Sequence, residues 1–198
     1  YLEQAVEAEL AALKMDGAHF KVAFEQRLTP EGVPLADGRR VSFDANGLEA
    51  IEFLVAPNPG EGLKPLVKIA SGGETSRLML AIKNVLARAD QVPTLIFDEI
   101  DQGIGGRVGS VVGKKLWELA RNHQVLCVTH LPQLAAYGDE HFRVQKGLID
   151  GRTVTQVDTL NQESRLVELA QMMGEVSEGT RQSALELLEA ARQALPPR

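Results

Sequence analysis

The sequence predicts an α/β protein with a parallel sheet core flanked by helices, and three observations carry that expectation. "VPTLIFDEI" (92–100) and "HQVLCVTH" (123–130) are continuous apolar runs of strand length, the pattern of strands buried on both faces. Between them "RVGSVVGKKLWELARN" (107–122) sets Val108, Val111, Val112, Leu116 and Leu119 at helical spacing. Strand, helix and strand of this length form a βαβ unit, whose two strands run parallel.

The remaining elements follow in order. "YLEQAVEAELAALKM" (1–15) steps Leu2, Val6, Leu10 and Leu13 along one helical face and ends before Gly17. It is either an ordinary amphipathic helix or the tail of a coiled coil whose remainder lies upstream. "AHFKVAFEQRL" (18–28) and "LEAIEFLV" (48–55) alternate aromatic and β-branched residues with polar ones and predict strands. "TPEGVPLADGRR" (29–40) predicts a loop by its Pro and Gly content, ending in a short strand near "RRVSF" (39–43). "APNPGEGLKP" (56–65) predicts a second loop.

From Ser71 the pattern turns helical, with Leu78, Ile82, Val85 and Leu86 on one face. Ser71 and Glu74 form the two ends of a capping box. After Pro132 a short helix is expected, then a hairpin from "EHFRVQK" (140–146) and "RTVTQVDTL" (152–160). Two helices close the chain, "QESRLVELAQMM" (162–173) and "TRQSALELLEAARQAL" (180–195), before "PPR".

Composition narrows the classes of function. A chain of 198 residues with 44% hydrophobic content can bury one sizeable domain, with or without a small appendage. A net charge of -6 and a pI near 5.3 exclude a surface uniformly coated for nucleic acid, leaving only a local basic strip. Arg39 with Arg40 and Lys114 with Lys115 are such candidates, although charged pairs more often make a solvated face. The single cysteine, Cys127, supports neither a disulfide nor a Cys/His metal cluster. No apolar run has the length of a membrane span, and a cytoplasmic location is expected. The chain opens on Tyr1 in mid-helix, so a piece of a longer protein is expected.

Three groups of residues carry candidate chemistry. Asp98, Glu99 and Asp101 follow a predicted strand, and ligands of open parallel sheets bind beyond the C-terminal strand ends. Successive side chains on a strand face opposite ways, so Asp98 and Glu99 are expected to point apart, one suited to a hydrated Mg²⁺ and the other to orienting or deprotonating a water. The bland alternative is that acidic residues here cap a turn. His130 ends the neighbouring strand and would emerge at the same edge, where an imidazole can donate to a phosphate oxygen. "SGGE" (71–74) opens a helix with two glycines, which lets an anion approach its free N–H groups, though a simple cap uses the same donors.

In their order and spacing, "SGGE", "TLIFDE" with Asp101 two positions on, and "VLCVTH" resemble the C-terminal lobe of an ABC-type ATPase head. The wording "PLVKIASGGETSRLMLAIK", "FDEIDQGIGGRVGSVVGKKL" and "VTHLPQLAAYGDEHFRVQK" is similar to the RecN family of bacterial DNA repair proteins, SMC-like ATPases, most specifically from Asn58 to Lys146. That resemblance implies that the phosphate-gripping Walker A loop lies in a separate N-terminal lobe, beyond a long coiled coil. Residues 1–16 would be the end of that coiled coil and 17–198 the C-terminal lobe. "GSVVGKK" (109–115) has the wrong spacing for the missing loop, lacks its Ser or Thr, and lies inside a predicted helix.

The resemblance also implies roles. Ser71, Gly72, Gly73 and Glu74 would be the signature motif that meets the γ-phosphate of ATP held by an opposing head. Asp98 would support Mg²⁺, Glu99 would activate the attacking water, and His130 would sense the γ-phosphate. Asp101 would belong to the loop that meets its counterpart across a homodimer of heads, and Arg77 would fix the signature helix or reach the ligand. The partners would be an N-terminal lobe, a second identical head and, in the whole protein, DNA, with no membrane. A nonenzymatic dimerisation or DNA-binding module of the same fold is the alternative.

Overall fold

A computed structural model of the chain describes residues 1–69, 72–87, 92–149 and 152–195. The chain forms two compact units, Tyr1–Thr75 and Ser76–Arg198.

The first unit opens with helix α1 (Leu2–Ala12), whose Val6 and Leu10 are fully buried together with Leu13 just beyond it. Strands β1 (His19–Glu25), β2 (Leu28–Pro34), β3 (Arg40–Val41), β4 (Ala50–Ala56) and β5 (Lys64–Pro65) follow. β1, β4 and β5 make an antiparallel sheet in that order, with His19 opposite Ala56 and Glu25 opposite Ala50. β1 is therefore an edge strand, and α1 covers it with carboxylates. Glu7 accepts from the backbone N–H of Phe20 at 3.1 Å and Glu3 from that of Val22 at 2.9 Å. The match is geometric: four helical residues rise about 6 Å, and two strand residues advance about 6.6 Å.

Two segments expected to be loops contain strands. β2 runs through "TPEGVP" despite its two prolines, because it pairs on one side only, with β3, where a missing N–H is tolerated. Its register is bulged, Leu28 and Val33 both lying opposite Val41. Gly32 makes the close approach feasible, since a Cβ there would lie 2.1 Å from the Val41 carbonyl oxygen. At the end of the second expected loop, β5 pairs Lys64 with Val55 and Pro65 with Leu54.

Helix α2 (Gly72–Leu86) contains the boundary between the units. The second unit continues with β6 (Thr94–Phe97), α3 (Gly106–Leu119), β7 (Gln124–Cys127), α4 (Pro132–Ala135), β8 (Phe142–Ile149), β9 (Arg152–Thr159), α5 (Gln162–Met172) and α6 (Glu178–Ala194). β6 and β7 are parallel, with Thr94 opposite Gln124 and Phe97 opposite Cys127, and α3 makes the crossover between them. The predicted βαβ unit is present.

The expected burial of both strand faces is not. Leu95 and Phe97 are buried, but Ile96, Leu126 and Val128 are 70%, 44% and 62% exposed. Among the described residues this parallel sheet has two strands, and the other sheets are small and antiparallel. An apolar run records that a face is meant to be covered, and the described residues leave this one open.

The glycines of "GSVVGKK" serve packing. Gly106, Gly109 and Gly113 recur every three or four residues on α3 and face Gln133, Leu131 and Tyr137. A Cβ on Gly113 would lie 2.6 Å from the Tyr137 ring. In an open helix Gly113→Ala would gain about 1 kcal/mol. Here it is expected to destabilise the fold, because overpacking costs about 1–3 kcal/mol. Urea denaturation of the two chains checks this, and a gain in stability would show that Tyr137 yields freely.

Helices α5 and α6 dock onto α4 through Ala135, Leu169, Ala170 and Ala184, flanked by Leu166, Met172, Met173 and Leu188. Asn161 caps α5 by accepting from the Ser164 N–H, and Ser177 with Thr180 caps α6 reciprocally. Arg165 donates to the carbonyls of Ala135, Ala136 and Gly138, which pins α5 to the end of α4. β8 and β9 form the predicted hairpin, Phe142 opposite Thr159. No helix among the described residues is long and apolar enough to cross a membrane.

Candidate functional site

The site is built where the parallel strands end. The Val128 N–H donates to the Phe97 carbonyl at 2.9 Å, so the pairing persists one residue beyond the last ladder pair. Asp98 and Thr129 then leave the sheet at the same edge, the edge at which α/β sheets hold ligands.

The chain turns sharply at Glu99. Its φ is +55°, in the left-handed region, where a residue with a Cβ pays about 1–2 kcal/mol. Asp98 supports the turn, its Oδ1 accepting from the Glu99 N–H at 2.9 Å. The sequence-based expectation that strand alternation separates Asp98 from Glu99 is thus corrected. β6 ends at Phe97, and the two carboxylates, both exposed, are set apart by a backbone reversal.

Two side chains from α2 hold this turn. Ser76 Oγ donates to the Asp98 carbonyl at 2.8 Å, and Arg77 Nη1 donates to the Gln102 carbonyl at 3.0 Å. Arg77 is buried. Ser76 was not singled out in the sequence. Its only local signal is a hydroxyl on the first turns of the helix that "SGGE" opens.

Asp101 connects the turn to His130. The carboxyl is 3% exposed, and its Oδ2 accepts from Thr129 Oγ1 at 2.5 Å and from the His130 N–H at 2.8 Å. His130 Nδ1 lies 3.0 Å from the same oxygen, while the His130 side chain is 76% exposed. Thr129 Oγ1 in turn accepts from the Leu131 N–H at 3.0 Å, fixing the exit into α4. Thr129 was also missed, although it directly precedes His130.

The structure therefore brings Asp98, Glu99, Asp101 and His130 together within the second unit. Gly72, Gly73 and Glu74 form the first turn of α2 and belong to the first unit. Ser71, and with it the expected capping box, lies outside the described residues. Cys127, beneath the site, is held inert: burial above all, then the charges of Asp101 and Asp98, push its thiol up to about 12.

The donor set suits one metal class. Among the described residues no group of three or more His, Cys, Asp or Glu side chains could cage an ion. Mg²⁺ needs no such cage, since it keeps several waters and is commonly bound through one or two carboxylates and substrate phosphates. The exposed Asp98 fits that requirement.

No protein-family model matches the chain. The DNA repair protein RecN of Bacillus subtilis is 40% identical over 196 residues, 97% of this chain and 34% of that protein. RecN of Streptomyces coelicolor is 46% identical over 190 residues, 95% of this chain and 33% of that protein. The chain thus spans about a third of the length of these relatives. Among solved structures, the Smc head domain with a coiled coil and joint from Pyrococcus yayanosii matches with a TM-score of 0.56 at 21% identity, over 87% of this chain and 29% of that one. At that identity the likeness concerns the fold, which is α/β and of the Smc head type. Over nearly its whole length, and as about a third of such a protein, this chain belongs to the RecN family of DNA repair proteins.

Proposed function

We propose that this chain is the C-terminal lobe of an ATPase head that supplies half of an ATP site, in a protein serving the repair of DNA double-strand breaks. The observation that carries the proposal is the convergence of Asp98, Glu99 and His130 at one edge of the β6–β7 pair, joined through Asp101. The exposed apolar face of the same strands supports a missing lobe that would extend or cover the sheet.

Each residue then has a task. Glu99, turned out of the strand by its left-handed backbone, orients the attacking water and draws off its proton. His130 meets the γ-phosphate. Mg²⁺, held through Asp98, would neutralise charge on the phosphates when bound. Ser71, Gly72, Gly73 and Glu74 present the signature motif to ATP on a second, identical head, and the Asp101 loop lies towards that interface. Phosphoryl transfer asks the protein mainly for positioning and electrostatics, so dividing the donors between lobes and heads makes ATP part of the interface. In this scheme residues 1–16 end a coiled coil, residues 17–198 form the lobe, and the whole protein is cytoplasmic and engages DNA.

The test is ATP hydrolysis by the chain with and without the N-terminal lobe. The chain alone is expected to show no turnover, because the primary phosphate grip is absent, and the mixture is expected to show turnover. Nucleotide-independent dimerisation or DNA binding, with no ATP binding by the mixture, would instead establish the nonenzymatic module. Glu99 favours the catalytic reading over that module, since it supplies the base that a degenerate site would be free to lose, and strained backbone such as its left-handed φ clusters at functional sites.

A further inference from the structure

We infer that Glu3 and Glu7 act as a clasp that fixes the direction in which helix α1 lies along the β1–β4–β5 sheet. The two ends of the helix are held differently. From Val6 onward burial holds it: Val6, Leu10 and Leu13 are fully buried, and the chain turns into β1 soon after them. Towards the start Tyr1 is fully exposed and Leu2 half-buried, so burial holds that end far less. What meets the strand there is the Glu3 carboxylate, which accepts from the Val22 N–H at 2.9 Å. One turn further on Glu7 accepts from the Phe20 N–H at 3.1 Å.

These bonds add what apolar burial cannot. Hydrophobic contact is non-directional, and Leu2, Val6 and Leu10 repeat every four residues, so the apolar stripe alone tolerates a slip of one turn. The acidic stripe does not repeat in this way, reading Glu3, Glu7 and then Ala11. Slipped one way, the helix would set Ala11 opposite Phe20 and leave that N–H without its acceptor. Slipped the other way, it would take Glu3 from Val22 and set Glu7 opposite Ala18, whose N–H already donates to the Met15 carbonyl. One placement satisfies both edge donors, and in it α1 and the sheet move as one body. The further consequence, that the clasp aims the coiled coil which α1 would end, rests on the ATPase-head proposal, whereas the clasp itself does not.

Amide exchange of the ¹⁵N-labelled full chain without nucleotide tests the bonds. Phe20 and Val22 turn their N–H groups away from β4, and so by alternation does Phe24, which has neither carboxylate opposite it and serves as the uncapped reference. After correction for local sequence, the Val22 amide is expected to exchange at least about tenfold more slowly than that of Phe24, the factor a charge-assisted bond supplies. In Glu3→Ala that protection is expected to vanish, while the amides of Lys21 and Ala23, which face β4, stay slow and show the sheet intact. Unchanged exchange at Val22 overturns the inference. Glu3→Gln decides the matter if the Ala chain loses its sheet, because the amide oxygen still accepts without the charge. Its Val22 rate is expected to lie between those of the parent and of Phe24. A rate equal to that of Phe24 would show that the field of the carboxylate, and not a bond, had slowed exchange, which also overturns the clasp.

Residual dipolar couplings of the same chain test the direction. The N–H couplings of α1, β1 and β4 in the parent are expected to fit one alignment tensor. In the double variant Glu3→Ala, Glu7→Ala those of α1 are expected to shrink relative to those of the sheet. An undiminished common fit would show that apolar packing alone aims the helix and would overturn the inference. Absence of ATP turnover in the lobe mixture would count against the proposed function and leave these measurements standing.

Discussion

Glu99→Gln is expected to lower ATP turnover by the chain combined with its N-terminal lobe by about 10²–10⁴-fold, the usual contribution of a general base. Gln preserves the length and hydrogen-bonding reach of the side chain and removes only its ability to take a proton. Nucleotide binding and nucleotide-dependent pairing of heads are therefore expected to survive, and to become easier to observe because bound ATP persists. Asp98 still supports the turn, since its bond is to the backbone N–H of residue 99 and not to the side chain. Single-turnover hydrolysis with a parallel binding titration separates the two effects. Turnover within a few-fold of the unsubstituted mixture would assign the base elsewhere, and joint loss of binding and turnover would make Glu99 a ligand contact.

The sequence showed what is local. The apolar runs around residues 95 and 126, with the helical spacing from Val108 to Leu119 between them, could only be a strand, a helix and a strand. That topology places Asp98 and His130 at one edge before any coordinate is known. What it could not show depends on distant partners. β2 contains Pro30 and Pro34 and is a strand only because Val41 pairs with it across a turn. Ser76 and Asp98 are 22 residues apart, and Thr129 and Asp101 are 28 apart, so neither bond leaves a periodicity. The left-handed backbone of Glu99 is likewise invisible in a residue type that seldom adopts it. The openness of the β6–β7 face was concealed by the very runs that revealed the strands, because composition reports the need for cover and not its source.

That open face yields the second large effect. Ile96→Lys is expected to abolish turnover by the lobe mixture and to weaken association of the two lobes by at least about tenfold. Covering an isoleucine is worth about 1.5–3 kcal/mol, and each 1.4 kcal/mol is a factor of ten. A lysine at the same position must also be desolvated or displaced from the interface. The chain itself should fold as before, since Ile96 is already 70% exposed in it. Ile96→Val keeps most of the apolar area and should behave nearly as the parent. Leu185→Lys, at an exposed leucine of α6, changes the net charge equally and should leave both association and turnover intact. Association measured by calorimetry across the three variants therefore distinguishes a specific face from general hydrophobicity. Equal weakening by Ile96→Lys and Leu185→Lys would point to nonspecific stickiness. No weakening by Ile96→Lys would place the missing lobe on another surface, and the edge carrying Asp98, Glu99 and His130 would then have to be completed from a different direction.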